Sequence, residues 1–222
     1  MTPEPLSLLE TRILGVLVEK QRTVPDTYPL SLNALIAGCN QKTSRDPILE
    51  VSEADAQSTL DRLRAASLVI ESSGGRVMRY AHNLERVLDL PGPAVALLAV
   101  LMLRGPQTAG ELRGNTDRLH KFADISTVEG YLNELAGRPA GALVVELARL
   151  PGTRETRWAH LLSGPVAAAR ADEATQAHEG TPRDAYAPLP GIEARLRSLE
   201  AQVEGLHAAL TAVTEQLRNR PH

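Results

Sequence analysis

The chain has 222 residues, 43% of them hydrophobic and 3% aromatic, with one cysteine and a formal net charge of −3. That composition suits small helix-rich domains with cores of Leu, Val and Ala. It excludes an internal disulfide, the basic balance of an evident nucleic-acid footprint and, since no apolar run nears the ~18 residues required, a helical membrane span.

Residues 1–90 carry 10 Lys/Arg against 12 Asp/Glu, residues 91–163 carry 8 against 7, and residues 164–222 carry 6 against 8. This near neutrality weakens a DNA-binding reading without removing it. Met1-Thr2-Pro3-Glu4-Pro5 lacks the basic region and apolar stretch of a secretory signal. Together with the lone Cys39 it points to the cytoplasm.

Ser7-Leu8-Leu9-Glu10 is a capping box, and Ile13, Leu14, Leu17 and Val18 continue it as an amphipathic helix to about Gln21. Thr23 to Pro29 breaks it. Leu30 to Asn40 resumes helical spacing through Leu32, Leu35 and Ile36, and the polar block Asn40 to Pro47 follows. Ser52-Glu53-Ala54-Asp55 caps a third helix with Ala56, Leu60 and Leu63 facing inward. Val69-Ile70-Glu71 and Val77 to Tyr80 flank Ser73-Gly74-Gly75 as a β-hairpin.

The same order then repeats. Pro91-Gly92-Pro93 punctuates, with Pro93 suited to a first helical turn, and Val95 to Arg104 reads as a buried helix. Thr108-Ala109-Gly110-Glu111 and Ser126-Thr127-Val128-Glu129 cap two more helices, the last with Val128, Leu132 and Leu135 inward. Leu143 to Leu147 and Arg154 to His160 bracket Pro151-Gly152 as a second hairpin. The two copies close on Arg79-Tyr80-Ala81-His82 and Arg157-Trp158-Ala159-His160, with matched positions about 72–78 residues apart. A solenoid repeat is shorter, so a duplicated domain is the expectation.

Gly164 to Gly191 is rich in Ala, Pro, Gly and mixed charge, the composition of a flexible linker. Beyond it Ile192, Leu196, Leu199, Val203, Leu206, Leu210, Val213 and Leu217 form a heptad seam. A lone helix would leave that seam in water, so it needs a partner. Self-association, with a dimer favoured, is the simplest supply; folding back onto the preceding domains is the other. The expected fold is mostly α with small β-wings (α+β): winged-helix domains over residues 1–90 and 91–163, a linker over 164–191 and a coiled-coil helix over 192–220.

Leu9 to Gln21, Tyr28-Pro29-Leu30-Ser31-Leu32-Asn33 and Cys39 to Pro47 resemble the YceH family of bacterial proteins. So do Leu103 to Arg113, Leu147 to Arg157 and the heptad tail. The resemblance covers nearly the whole chain. It implies tandem winged helices and at most a DNA-binding or regulatory role; no enzyme activity, cofactor or ligand comes with it.

Candidate nucleic-acid contacts are Lys42, Thr43, Ser44 and Arg45 in the polar block, just before a recognition-type helix. The alternative is a structural loop bonding its own backbone. Arg62 and Arg64 lie on that helix among Glu53, Asp55 and Asp61; Arg76 and Arg79 lie on the first hairpin, Arg149, Arg154 and Arg157 on the second. Cross-strand pairing with Glu71, Glu146 or Glu155 is the competing role for the hairpin arginines. His82 and His160 read as strand-end residues, since no His, Cys or Asp spacing suits a metal. Cys39 reads as a small buried hydrophobe. With no phosphate-binding Gly motif or nucleophile elbow, no enzyme and no cofactor are expected. The expected function is a cytoplasmic, self-associating, DNA-binding transcriptional regulator, and the rival is a protein-interaction scaffold on the same fold.

Overall fold

Ser7 starts α1 (Leu8–Thr23) with reciprocal bonds: its hydroxyl accepts from the Glu10 N–H at 3.2 Å, and the Glu10 carboxylate accepts from the Ser7 N–H at 2.7 Å. The computed structural model describes residues 5–73, 77–149, 152 and 155–165. All belong to the unit Met1–Ala167. The linker beyond Pro165 and the heptad positions Ile192, Leu196, Leu199, Val203, Leu206, Leu210, Val213 and Leu217 lie outside the described residues.

A one-sided α1 is the sequence expectation, yet every residue from Glu10 to Val18 is buried. The reason is a second covering layer: α1 packs on its own half and also along α5 (Gly92–Arg104), which is buried without interruption from Ala94 to Leu103. After a 3-10 turn at Pro25–Thr27, β1 (Leu30–Ser31) precedes α2 (Leu32–Cys39). Leu30 and Ser31, expected as helix, pair instead with Tyr80 and Arg79. Ser31 then caps α2, and Ser52 caps α3 (Glu53–Ala65). β2 (Val69–Ser72) and β3 (Arg79–His82) complete an antiparallel sheet of order β1-β3-β2, with Val69 opposite His82. The return strand thus begins two residues later than Val77. A short helix, α4 (Leu84–Val87), leads on.

The second half repeats the pattern. α6 (Ala109–Thr116) carries the expected Thr108–Glu111 capping box. The cap of α7 (Ile125–Ala136) is Asp124 rather than Ser126. One Asp124 oxygen takes the Thr127 N–H at 2.7 Å and both the Thr127 and Ser126 hydroxyls, and a carboxylate suits the positive end of a helix. β4 (Val144–Leu147) and β5 (Arg157–His160) pair with Val144 opposite His160. Gln107 bridges Trp158 where Leu30 faces Tyr80 in the first half. The described residues therefore form a mixed, winged-helix-like α+β structure: seven α-helices with small antiparallel sheets.

One contiguous apolar core runs through both halves. Gly15 permits the α1–α5 approach, since a Cβ there would fall 2.8 Å from Leu103 Cγ and 3.4 Å from the Ala99 carbonyl. Polar bonds fasten the same joint. Asp46 N–H donates to the Leu103 carbonyl at 2.8 Å, and Arg104 Nη2 donates to Ser44 Oγ at 2.7 Å. Arg138 Nη2 donates to the Leu88 carbonyl at 2.6 Å, and Leu6 N–H to the Leu162 carbonyl at 2.8 Å.

Candidate nucleic-acid interface

The polar block between α2 and α3 is held from within. The Asn40 side chain clamps Val51 in both directions, its amide donating to the Val51 carbonyl at 3.1 Å and its oxygen accepting the Val51 N–H at 2.7 Å. Arg12, fully buried, donates to the Cys39 and Pro47 carbonyls at 3.3 and 2.6 Å. Its burial, and then the nearby Arg45 charge, lower its pKa. Arg45 was expected to face nucleic acid, yet its side chain is 0% exposed. Its five N–H groups are all engaged: Nε on the Gly38 carbonyl, Nη1 on Glu19 Oε1 and the Ser44 carbonyl, Nη2 on Glu19 Oε2 at 2.6 Å and Gln41 Oε1. A phosphate has no access to it. Burial alone would raise the Glu19 carboxyl, but the Arg45 bonds and charge outweigh it and hold it low. Ser44, half-buried, accepts from Arg104; Lys42 and Thr43 stay exposed. A cleft of about 500 Å³ beside the loop is lined by Asn40, Lys42, Ile48, Leu49, Glu50, Val51 and Ser52, and the Ser52 hydroxyl donates to Asp55 Oδ2 at 2.6 Å at the start of α3.

On α3 the cations are also occupied. Arg62 Nε donates to Glu10 Oε1 at 3.0 Å, and Arg64 pairs with Glu71 and, at 3.6 Å, with Asp61. Glu71 thus takes its arginine from the helix rather than from the facing strand. Arg79 is exposed, with Nη1 donating to the Pro29 and Thr27 carbonyls at 2.8 and 3.4 Å. Arg76 lies outside the described residues. Every ion pair among the described residues falls between Glu10 and Glu85.

The second half differs. Arg149 and Arg157 are exposed beside β4 and on β5, and Arg154 lies outside the described residues. Arg118 and Lys121, in the turn between α6 and α7, are exposed too. None of these four cations has a carboxylate within ion-pair distance among the described residues. Arg118 and Lys121 do not stand out in the sequence by composition; the signal for them is their place in the turn between the second and third helices of a trihelical unit. That turn is anchored by Phe122, buried, whose ring meets His120 edge-on at 4.7 Å and Tyr131 of α7 at 5.8 Å. On α7, Val128, Leu132 and Leu135 face the core while Ser126, Glu129, Gly130, Asn133 and Glu134 are exposed.

The paired histidines end their strands. Burial pushes both His82 and His160 down to about 4, so both are neutral near pH 7. His82 Nε2 meets Gln21 Oε1 at 2.8 Å, whereas His160 Nδ1 is buried with no partner. Burial pushes the Cys39 thiol up to about 12, which leaves it protonated and a poor nucleophile. Among the described residues no three His, Cys, Asp or Glu side chains gather as a metal site, and no helix is long and apolar enough to cross a membrane.

Three helices, a short strand or bridge and a β-hairpin, written twice around one core, define a winged-helix-like α+β protein. Residues 6–153 match the family described as protein of unknown function, DUF480. The chain belongs to this DUF480/UPF0502 family of bacterial proteins. It is 60% identical over 210 residues to a UPF0502 protein of Dechloromonas aromatica, covering 94% of this chain and 95% of the relative. UPF0502 proteins of Albidiferax ferrireducens (54% over 213 residues, 94% and 93% covered) and Leptothrix cholodnii (51% over 212 residues, 96% and 95% covered) are also similar.

Proposed function

We propose that the protein is a cytoplasmic, non-enzymatic DNA-binding regulator whose second half holds the duplex. The observation that carries this reading is the uneven use of charge. Arg118 and Lys121 precede α7, Arg149 and Arg157 follow it, and all four are exposed with no carboxylate in ion-pair distance among the described residues. In a winged helix the turn and the wing are the parts that meet phosphates, so cations left free there suit a polyanion. Tandem winged-helix domains joined through the heptad seam into a dimer would double these contacts, and weak phosphate pairs would add through avidity.

The test is fluorescence anisotropy of the full-length protein on a labelled duplex over a salt titration. Four neutralised phosphates give a log–log slope of roughly −3 to −4, about a hundredfold loss of affinity between about 50 and 200 mM salt. Changing Arg118, Lys121, Arg149 and Arg157 together to Ala flattens that slope, while R62A/R64A leaves it in place. One observation favours the rival scaffold reading: α3 exposes Glu53, Asp55 and Asp61 while its arginines are paired. Absence of duplex binding even at low salt would decide for that rival.

A further inference from the structure

We propose that the outward face of α7 reads base edges, with Asn133, Glu129 and Glu134 selecting adenine or cytosine over guanine on the contacted strand. This rests on the DNA-binding reading above.

The face is defined by burial. Val128, Leu132 and Leu135 are inward, which turns Ser126, Gly130 and Asn133 to the opposite side at helical spacing, flanked by Glu129 and Glu134. The side chains of Glu129, Asn133 and Glu134 are exposed, and none takes part in a hydrogen bond or ion pair among the described residues. Ser126 and Thr127 differ, since their hydroxyls are committed to Asp124. Asn133 and the two glutamates are therefore the free polar groups on this face.

Gly130 adds a geometric reason. A Cβ at this position would meet nothing within 4 Å, so internal packing does not require a glycine. An exposed glycine inside a helix destabilises it relative to alanine. What it supplies is bare backbone at the centre of the outward face, beside the side chains that would reach the groove floor.

The chemistry of these groups is selective. α7 contains no Lys, Arg or Gln. Its free groups are one carboxamide, which can bond the N6 and N7 edge of adenine, and two carboxylates, which accept from the N4 amino group of cytosine. Guanine offers only O6 and N7 acceptors in the major groove, which repel a carboxylate. The cations that would offset phosphate repulsion of Glu129 and Glu134 are Arg118 and Lys121 before the helix and Arg149 and Arg157 after it. The corresponding face of α3 lacks this arrangement, because Arg62 and Arg64 are engaged with Glu10, Asp61 and Glu71.

The experiment is selection of the full-length protein on a duplex library with randomised central positions, sequencing the retained fraction at low salt. The expected wild-type motif favours adenine and cytosine over guanine on one strand. N133A lowers the adenine preference about tenfold or more, and E129Q moves the preference from cytosine toward adenine. All three residues are exposed, so equal melting temperatures confirm that the variants are folded. Retention of no duplex overturns this inference together with the DNA-binding reading. Retention without base preference, or with a motif unchanged in both variants, overturns this inference alone.

Discussion

Between Glu10 and Glu85, five Lys and Arg residues are held by carboxylates, two of which, Lys20 and Arg45, share Glu19. From Pro91 to Pro165, no described cation is so held, although the same arrangement of helices and strands is present. The difference follows from where the joint is made. The α2–α3 loop of the first half docks against the end of α5, and a loop folded into an interior needs its polar groups satisfied there. Arg12, Arg45 and Glu19 serve that need. The α6–α7 turn docks on nothing comparable and keeps its cations at the surface. Two similar arrangements of helices and strands thus use their described cations differently, one for internal pairing and the other at the surface.

The largest expected effect breaks the first half's side of this contrast. Arg45→Ala empties a fully buried site and leaves the half-buried Glu19 only Lys20 as a partner, and it should cost about 3 kcal/mol in urea denaturation. Arg157→Ala should cost no more than about 0.5 kcal/mol. A cost for Arg45→Ala near that of Arg157→Ala would dissolve the contrast.

Acid separates the halves less than it unites them. His82 and His160 sit at about 4 when folded against an ordinary 6.5. Both are therefore unprotonated at neutral pH in either state, and stability is full above 6.5. It falls as the pH drops from 6.5 to 4, by roughly 3 kcal/mol for each histidine. Denaturation midpoints across that window check this, and a flat profile in the wild type would reject it. The halves part on substitution: His82→Leu loses the Gln21 bond, while His160→Leu removes an unpartnered nitrogen. His160→Leu should therefore be the milder change by about 1–2 kcal/mol.

Gly15→Ala probes the joint itself. The added carbon meets Leu103 and the Ala99 carbonyl, so either α5 shifts or Leu103 leaves its rotamer, at about 1–3 kcal/mol. A smaller effect than that is expected of Arg62→Ala, whose pair with Glu10, exposed on the arginine side, contributes about 1 kcal/mol or less.

Local signals in the sequence gave correct helix starts at Ser7, Ser52 and Thr108, because a cap depends on neighbours three residues away. At Ser126 the same signal was outcompeted by Asp124, two residues earlier and charged. β1 escaped notice because two residues carry no periodicity, and their strand identity comes from Tyr80 and Arg79, about fifty positions on. The role of Arg45 was illegible for the same reason: its carboxylate stands at Glu19, 26 residues back, and the block reads equally well as a loop full of open donors. Family membership, legible from the motifs at Leu9 to Gln21, Cys39 to Pro47 and Leu103 to Arg113, was a different kind of signal, and it carried the architecture without the chemistry.

The uninterrupted burial of α5 has a practical corollary. A fragment beginning at Pro91 would present to water the flank that α1 normally shields, a stretch from Ala94 to Leu103 made only of Ala, Val, Leu and Met. Such a fragment would self-aggregate rather than fold. Neither evolution nor an engineer can transplant the second half into another protein without also carrying over a substitute for the first helix.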